Sequence, residues 1–249
     1  MTDELGPLIG AGLVAEAFAW GEGMVKLYRP GTAHHAVFRE AAAQALAESL
    51  GLPVPAVWGV RRIGDRWGLL MQRIAAPTLA DQLRQGGPAA AACLQQMAAL
   101  QARLHRCQAI QLPSLRARLS ARIATAPIAD PALKTRLAEG VQQMPDGDRL
   151  CHGDFHPLNL LGDTGHATII DWADACRGEP AADLCRSYLT LRLHAAELAE
   201  PYLQAYCAVT STTPDKCMTW LPYVAAARLH DKVPGEAEKL PAFLHPAAA

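Results

Sequence analysis

The sequence lacks a long apolar run, a cysteine pair at C-x-x-C spacing and a strong excess of either charge. No uncharged stretch approaches the roughly 18 apolar residues that a membrane span needs, so we expect no membrane association. The seven cysteines are odd in number, and the chain opens with Met-Thr-Asp-Glu rather than with a basic and then apolar leader. These features favour reduced thiols and a cytoplasmic location.

The net charge of −1 argues against a general nucleic-acid-binding protein. The charge is unevenly distributed, however, because residues 1–145 carry +5 and residues 146–249 carry −6. An acidic C-terminal part weakly favours a cationic partner, although an ordinary solvated surface is the commoner explanation. With 249 residues, half of them hydrophobic, the chain fits one large domain or two small lobes with a real core.

Most side chains that can perform chemistry lie in one segment, Cys-His-Gly-Asp-Phe-His-Pro-Leu-Asn at residues 151–159. Asp154 and Asn159 are five residues apart, and Gly153 and Pro157 break any regular structure there, which indicates a loop. The segment therefore presents a carboxylate and an amide side chain at an irregular, accessible part of the chain.

A hairpin is predicted directly after this loop. Residues 158–161 and 167–170 are short apolar runs joined by Gly-Asp-Thr-Gly. Such a hairpin would return Asp171 to the neighbourhood of Asp154 and Asn159. Carboxylate and amide oxygens are hard ligands, so the pattern favours a magnesium site.

The N-terminal residues predict strands separated by glycine turns. Gly10 and Gly12 lie between two apolar segments with no helix directly after them, which excludes the dinucleotide-binding and P-loop motifs. A glycine-rich hairpin over phosphates remains compatible with the pattern. Strand alternation places Lys26 on the face opposite Val25 and Leu27. A solvated lysine is the default interpretation, and a lysine that binds phosphate oxygens is the functional alternative.

A helix is predicted over residues 33–50, with Thr32 as its N-cap and Gly51 at its end. Its expected packing stripe consists of Phe38, Ala42, Ala45, Leu46 and Ser49. Glu40 lies beside this stripe, where it is either a surface residue or an inward-pointing partner for Lys26.

The remaining pattern predicts two strands and then helices. The strands cover residues 56–63 and 67–74 around a Gly-Asp turn, and we place the boundary between a β-rich N-lobe (1–75) and a helical C-lobe (76–249) there. The expected fold class is α+β. The helices are predicted at 78–85, 88–107, 114–125, 131–143, 181–194, 196–209, 214–229 and 234–244.

Two chemistries compete for the central segment. In phosphoryl transfer, one carboxylate accepts the proton of the attacking hydroxyl, and an amide with a second carboxylate holds magnesium. In a metallohydrolase, His152, Asp154, His156 and Asp171 would bind metals that activate water. The metallohydrolase interpretation leaves Gly10, Gly12, Lys26 and Glu40 without a role, so phosphoryl transfer is favoured. His152 and His156 are then interpreted as loop or substrate-facing residues.

The segment His152-Gly153-Asp154 to Asn159, followed by Ile169-Ile170-Asp171-Trp172, resembles the signature of the aminoglycoside phosphotransferase and choline kinase group. The resemblance covers nearly the whole chain. It implies a bilobal protein-kinase-like fold, with a small antiparallel sheet and one helix in the N-lobe and a mainly helical C-lobe. It also implies ATP and Mg²⁺ as cofactors.

The same resemblance implies a role for individual residues. Asp154 is the expected catalytic base, and Asn159 and Asp171 are the expected magnesium ligands. Lys26 is expected to contact the α- and β-phosphates and to pair with Glu40. The other implied sites are the phosphate loop at Gly10 and Gly12, a hinge at Met71–Ile74 whose Gln72 and Ile74 backbone meets adenine, and a helix aspartate, Asp183, that braces the catalytic loop.

The favoured function is ATP-dependent phosphorylation of a hydroxyl on an aminoglycoside-, amino-alcohol- or sugar-like small molecule. An atypical protein kinase is the main alternative, although no Ala-Pro-Glu and no long activation segment follow Asp171. A nucleotide-binding module without catalysis is a third possibility. The complete set of Lys26, Glu40, Asp154, Asn159 and Asp171 argues against it.

Overall fold

The computed structural model describes residues 5–245. Its residues pack into two compact units. The first takes in Met1–Asp81, described from residue 5, together with Leu158–Asp174. The second takes in Gln82–Pro157 and Ala175–Ala249, described as far as residue 245. The first unit is rich in strands and the second is mainly helical, which confirms the α+β prediction.

A five-stranded antiparallel sheet forms most of the first unit. Its strands lie in the order β1-β2-β3-β5-β4. They span Leu8–Ala11 (β1), Ala15–Trp20 (β2), Gly23–Tyr28 (β3), Val57–Ile63 (β4) and Arg66–Met71 (β5). Alternation holds on β3 as predicted, because Val25 and Leu27 are buried in the core while Lys26 points to the other face.

Helix α1, His34–Ser49, lies between β3 and β4 in the chain. Val37 and Ala41 join Tyr28 and Leu69 in the core of this unit. The predicted packing stripe was therefore wrong: the buried positions include Val37, Glu40, Ala41, Gln44 and Ala47, whereas Phe38 is exposed and stacks against Trp67. The alanine-rich sequence gives little contrast between helix faces, which explains the error.

The ends of α1 were predicted with mixed success. Ala33 rather than Thr32 occupies the N-cap, and no side chain caps the helix there. Gly51 follows the helix with φ of 74° and donates its N–H to the Glu48 carbonyl. This left-handed glycine ends the helix as predicted.

The predicted hairpin is present and belongs to the first unit. Its strands are β7 (Leu160–Asp163) and β8 (His166–Ile169). Gly162 has φ of 137°, and a Cβ there would lie 2.0 Å from the His166 carbonyl oxygen, so this position requires glycine. The Gly162 N–H donates to Pro77 (2.8 Å) and the Ile169 N–H donates to Pro53 (2.7 Å). By packing, the hairpin thus joins the N-terminal residues, while the functional division at residue 75 stays a prediction.

The second unit consists of helices and one short strand pair. Strands β6 (Arg149–Cys151) and β9 (Cys176–Gly178) flank residues 152–175 in the chain and pair antiparallel, and neither was predicted. Helix α2 (Leu79–Leu83) crosses the boundary between the units. The other helices are α3 (Gly87–His105), α4 (Leu115–Thr125), α5 (Pro131–Gln143), α6 (Pro180–His194), α7 (Ala196–Thr210), α8 (Pro214–Met218) and α9 (Leu221–Arg228).

Two predicted helices near the C-terminus were wrong in detail. The helix expected over 214–229 is divided into α8 and α9, with Pro222 in the first turn of α9. The helix expected over 234–244 is a series of turns with a short 3₁₀ segment at Leu240–Phe243. Pro234 and Gly235, the latter with φ of 80°, stop a regular helix. Across residues 5–245, no helix is long and apolar enough to cross a membrane.

Candidate functional site

Lys26 is the centre of a partly buried ion-pair cluster in the first unit. Its Nζ lies 2.7 Å from Glu40 Oε1 and 2.8 Å from Asp171 Oδ1. Glu40 is 1% exposed, and its other carboxylate oxygen accepts a hydrogen bond from the Tyr28 hydroxyl. The solvated-lysine and surface-glutamate readings therefore do not apply, and the structure brings Lys26 and Glu40 together as the sequence suggested.

The charge state of Lys26 follows from the two carboxylates. Burial acts to lower its pKa, but the charges of Glu40 and Asp171 and their hydrogen bonds outweigh burial and raise the pKa above its usual value. Lys26 consequently remains an ammonium across the neutral range. A fixed positive charge at this position is well suited to phosphate oxygens.

Asn159 and Asp171 lie at the two ends of the β7–β8 hairpin. The Ile170 N–H donates to the Asn159 carbonyl over 3.0 Å, which holds the two ends together. Asn159 is buried, and Asp171 has φ of 65°, a left-handed conformation that is uncommon outside glycine. Such backbone strain is often found at functional sites.

This oxygen set fits magnesium. A carboxylate and an amide oxygen are hard ligands, and Mg²⁺ in phosphate-transfer sites usually takes one or two protein ligands with phosphates and waters in the other positions. Among residues 5–245, no group of three or more His, Cys, Asp and Glu side chains is arranged to hold a metal ion. Asn159 and Asp171 would hold the ion if it is delivered with a nucleotide.

The β1–β2 turn carries the predicted phosphate loop. The Gly12 N–H donates to the Ala15 carbonyl over 2.8 Å, and Arg29 donates to the Gly12 carbonyl over 3.3 Å. Leu13 at the tip is 90% exposed. A Cβ on Gly10 or Gly12 would meet its nearest neighbour at 3.7 or 3.6 Å, an ordinary contact. Packing within the chain therefore does not require glycine at either position.

The predicted adenine hinge follows β5. The Gln72 N–H donates to the Ala56 carbonyl over 2.9 Å, and the Gln72 side chain accepts from the Ala56 N–H over 3.3 Å. The Gln72 N–H is thus in use, so a role in adenine binding falls to its carbonyl oxygen. Ile74 lies in the irregular segment after the strand and is half-buried.

Asp154, the candidate base, belongs to the second unit, where its carboxylate contacts Arg186 and His156. Arg186 on α6 donates to Asp154 Oδ1 over 2.7 Å, and His156 Nε2 lies 3.2 Å from Asp154 Oδ2. Burial acts to raise the pKa of Asp154, but the His156 hydrogen bond and the charges of Arg186 and His156 hold that pKa well below its usual range. Asp154 is therefore ionised at neutral pH and can accept a hydrogen bond from a hydroxyl.

A buried network fixes the backbone beside Asp154. Asp183 on α6 accepts from the Gly153 N–H (2.6 Å) and from the His152 N–H (3.3 Å). His105 lies 3.0 Å from the same carboxylate, and Gln101 donates to it over 3.1 Å. Burial acts to raise the pKa of Asp183, but the His105 bond and charge lower it overall. The bracing that the sequence suggested for Asp183 is thus visible in its hydrogen bonds.

The histidines of the segment have distinct surroundings. His152 is fully buried, and its Nδ1 accepts from the Asp154 N–H over 3.2 Å, so it shapes the loop. His156 instead contacts the Asp154 carboxylate.

Arg186 was not predicted from the sequence. Its spacing from Asp183 places both residues on neighbouring faces of one helix, and this spacing could have drawn attention to it.

Comparison with known proteins identifies the family of the chain. The profile of the phosphotransferase enzyme family matches residues 16–220. This match covers most of the chain, so the protein belongs to the phosphotransferase enzyme family. The resemblance seen in the sequence is confirmed. No curated protein sequence matches the chain.

Solved structures share the fold at low sequence identity. A variant of aminoglycoside phosphotransferase APH(4)-Ia, in a ternary complex with ADP and hygromycin B, has a TM-score of 0.70 at 14% identity, covering 97% of this chain and 90% of that chain. Aminoglycoside phosphotransferase APH(3'')-Id from Streptomyces rimosus, in complex with ADP and streptomycin, has a TM-score of 0.67 at 19% identity, covering 90% and 92%. Amicoumacin kinase hAmiN, in complex with AMP-PNP, Ca²⁺ and Ami, has a TM-score of 0.67 at 13% identity, covering 98% and 87%. The fold is that of these phosphotransferases, which is the protein-kinase-like fold.

Proposed function

We propose that this phosphotransferase moves the γ-phosphoryl group of ATP to a hydroxyl of a small molecule in a Mg²⁺-dependent reaction in the cytoplasm. Asp154 serves as the catalytic base. Asn159 and Asp171 serve as the magnesium ligands, and the ion, when bound, supplies positive charge to the phosphates. Gly10, Gly12, Lys26 and the backbone of Gln72 and Ile74 serve nucleotide binding, with Glu40 positioning Lys26.

The observation that carries this proposal is the contact of the largely buried Lys26 with both the buried Glu40 and the partly exposed Asp171. A buried lysine with a raised pKa is a permanent positive charge, and phosphoryl transfer depends mainly on positioning and on stabilising charge. A structural ion pair would need only one carboxylate. The second carboxylate belongs to Asp171, which has a left-handed backbone and is itself a candidate metal ligand.

A base with a low pKa is compatible with this chemistry. In a loose, largely dissociative transition state the attacking hydroxyl keeps its proton until late, so the aspartate mainly orients it. Arg186 and His156 fix both oxygens of Asp154 in place. The hydrogen bonds from the Gly153 and His152 N–H groups to Asp183 hold the backbone beside Asp154 in place. Because Asp154 is already fixed, less conformational entropy is lost when it aligns the acceptor hydroxyl with the γ-phosphate.

An acceptor screen tests the proposal. Purified protein with ATP and Mg²⁺ is incubated with a panel of aminoglycosides, amino alcohols, sugars and hydroxy acids, and ADP and the phosphorylated product are both measured. We expect ADP formation that depends on an acceptor and a phosphate ester on that acceptor. Peptide substrates and a simple phosphoester without ATP are included, since preferred turnover of either would favour a protein kinase or a hydrolase instead.

A further inference from the structure

Four arginine side chains line one pocket of the second unit. They are Arg118 and Arg122 on α4, Arg186 on α6 and Arg228 on α9. The pocket is open to solvent, and its cavity volume is about 20 Å³, which admits one small group such as a carboxylate rather than a whole acceptor.

Arginine outnumbers acid in the lining. The only carboxylates among the lining residues in the described part of the chain are Asp183 and Asp231. Asp183 is 1% exposed and already receives bonds from Gly153, His105 and Gln101. Asp231 lies 3.0 Å from Arg228 and 3.7 Å from Arg122. The lining therefore offers guanidinium groups rather than carboxylates to a ligand.

The arginines are held in place by their partners. Arg228 also bonds to Glu236 (2.6 Å), Arg118 donates to the Cys176 thiol (3.0 Å), and Arg186 donates to Thr190 as well as to Asp154. A guanidinium has five N–H donors in a rigid fork, so it can bond a group of the chain and an external anion at once. Its geometry matches the oxygens of a carboxylate or a phosphate.

The pocket adjoins the candidate base. Gly153, the residue before Asp154, is part of its lining, and Arg186 both lines the pocket and bonds the Asp154 carboxylate over 2.7 Å. We infer that the acceptor carries a carboxylate or phosphate group, which this arginine pocket binds while a hydroxyl of the same molecule meets Asp154. This inference rests on the proposed function. It also opposes the weak sequence-based preference for a cationic acceptor, because a polycation would face four guanidinium groups.

A matched set of acceptors tests the inference. Glycerate, glycerol and 3-amino-1,2-propanediol share a three-carbon skeleton with hydroxyl groups but carry a negative, zero and positive charge; gluconate, glucose and glucosamine form a second set. We expect kcat/KM for the acid to exceed that for the neutral member by about tenfold, since one charge-assisted hydrogen bond is worth at least that factor. The amine is expected to be the poorest acceptor, and added salt should narrow the difference.

Variants on α4 test whether the arginine pocket causes the preference for an acidic acceptor. Arg118→Gln and Arg122→Gln should each raise KM for the acid by about tenfold while leaving KM for ATP unchanged, because each removes one charge-assisted contact. The matched control is Arg116→Gln on the same helix, whose guanidinium bonds the Met144 carbonyl over 2.8 Å and lies outside the pocket. It should leave KM for the acid unchanged, and thermal melting confirms that each variant is folded.

A binding measurement covers the case in which no member of either set is phosphorylated. Calorimetric titration with inorganic phosphate, glycerate or gluconate should show binding to the wild type and to Arg116→Gln, and weaker binding to Arg118→Gln and Arg122→Gln. The inference is overturned if these anions do not bind, if they bind all variants equally, or if neutral or amine acceptors are used as well as the acids. ATP-dependent transfer to neutral acceptors would leave the proposed function intact, whereas ATP-independent phosphoester cleavage would contradict the function itself.

Discussion

Lys26 Nζ lies 2.8 Å from Asp171 Oδ1, and these two residues are 145 positions apart in the sequence. One belongs to a strand of the five-stranded sheet and the other follows the β7–β8 hairpin. The candidate phosphate ligand and a candidate metal ligand therefore meet within the first unit. Glu40, 2.7 Å from the same ammonium, keeps the lysine extended toward this position.

Replacing the lysine should remove a fixed charge from the phosphates. We expect Lys26→Met to lower kcat/KM for ATP by about 100- to 1,000-fold, the usual loss when one transition-state charge contact is removed. Glu40→Gln should cause a smaller loss, since the lysine keeps its contact with Asp171. Steady-state kinetics measure both, with Lys26→Arg as the charge-preserving control. Unchanged kinetics in Lys26→Met would exclude a role for this residue in catalysis.

Arg186 should control the protonation of Asp154. The pKa of Asp154 is lower in the folded protein than in the unfolded chain, where it is about 3.9. The ion pairs of Asp154 therefore stabilise the fold fully at pH values above the unfolded pKa. This stabilisation is lost as the pH falls through the pKa of the folded protein. Arg186→Gln should raise the pKa of Asp154 and move the acidic limb of the kcat–pH profile to higher pH. Thr190→Val, which removes a different hydrogen-bond partner of Arg186, is the control. An acidic limb at the same pH in wild type and Arg186→Gln would argue against the ion pair.

Asp183 should contribute strongly to the stability of the folded protein. Asp183→Asn weakens the buried hydrogen bonds that the Asp183 carboxylate makes with His105 and with the backbone of His152 and Gly153. We expect the free energy of unfolding to fall by about 3–5 kcal/mol, because several buried hydrogen bonds to a charged group are weakened at once and each is worth about 1.5–3 kcal/mol. Ser187→Ala, which removes a single hydroxyl from the same network, should cost only about 1 kcal/mol. Urea denaturation distinguishes the two, and similar losses would mean that Asp183 does not carry the bracing.

Alanine substitutions should distinguish a glycine of the β1–β2 turn, which is proposed to bind nucleotide, from a glycine that the fold itself requires. A Cβ at Gly12 meets only an ordinary contact at 3.6 Å, whereas at Gly162 it would lie 2.0 Å from a carbonyl oxygen. Gly12→Ala should therefore leave the melting temperature within a few degrees of wild type but raise KM for ATP, because the backbone there must approach phosphates closely. Gly162→Ala should lower the melting temperature markedly. A normal KM for ATP in Gly12→Ala would remove this turn from the nucleotide site.

Several elements followed from local patterns, and others did not. Period-two alternation placed Lys26 opposite the buried Val25 and Leu27, and a Gly-containing turn marked the β7–β8 hairpin. The buried face of α1 was predicted wrongly because alanines occur on every face of the helix and give little contrast between a buried and an exposed side. The helix spacing from Asp183 pointed only to the position of Arg186, whereas its contact with Asp154 joins residues 32 positions apart and cannot be read from a local pattern.

The most direct test compares wild type with Asp154→Asn, each incubated with ATP, Mg²⁺ and an acceptor identified in the screen, with the phosphorylated acceptor quantified by mass spectrometry. The variant keeps the size of the side chain but cannot accept the hydroxyl proton. We expect product formation to fall by about 100-fold or more, while KM for ATP and the melting temperature stay close to wild type. Product formation at the wild-type rate in Asp154→Asn would contradict the assignment of Asp154 as the base.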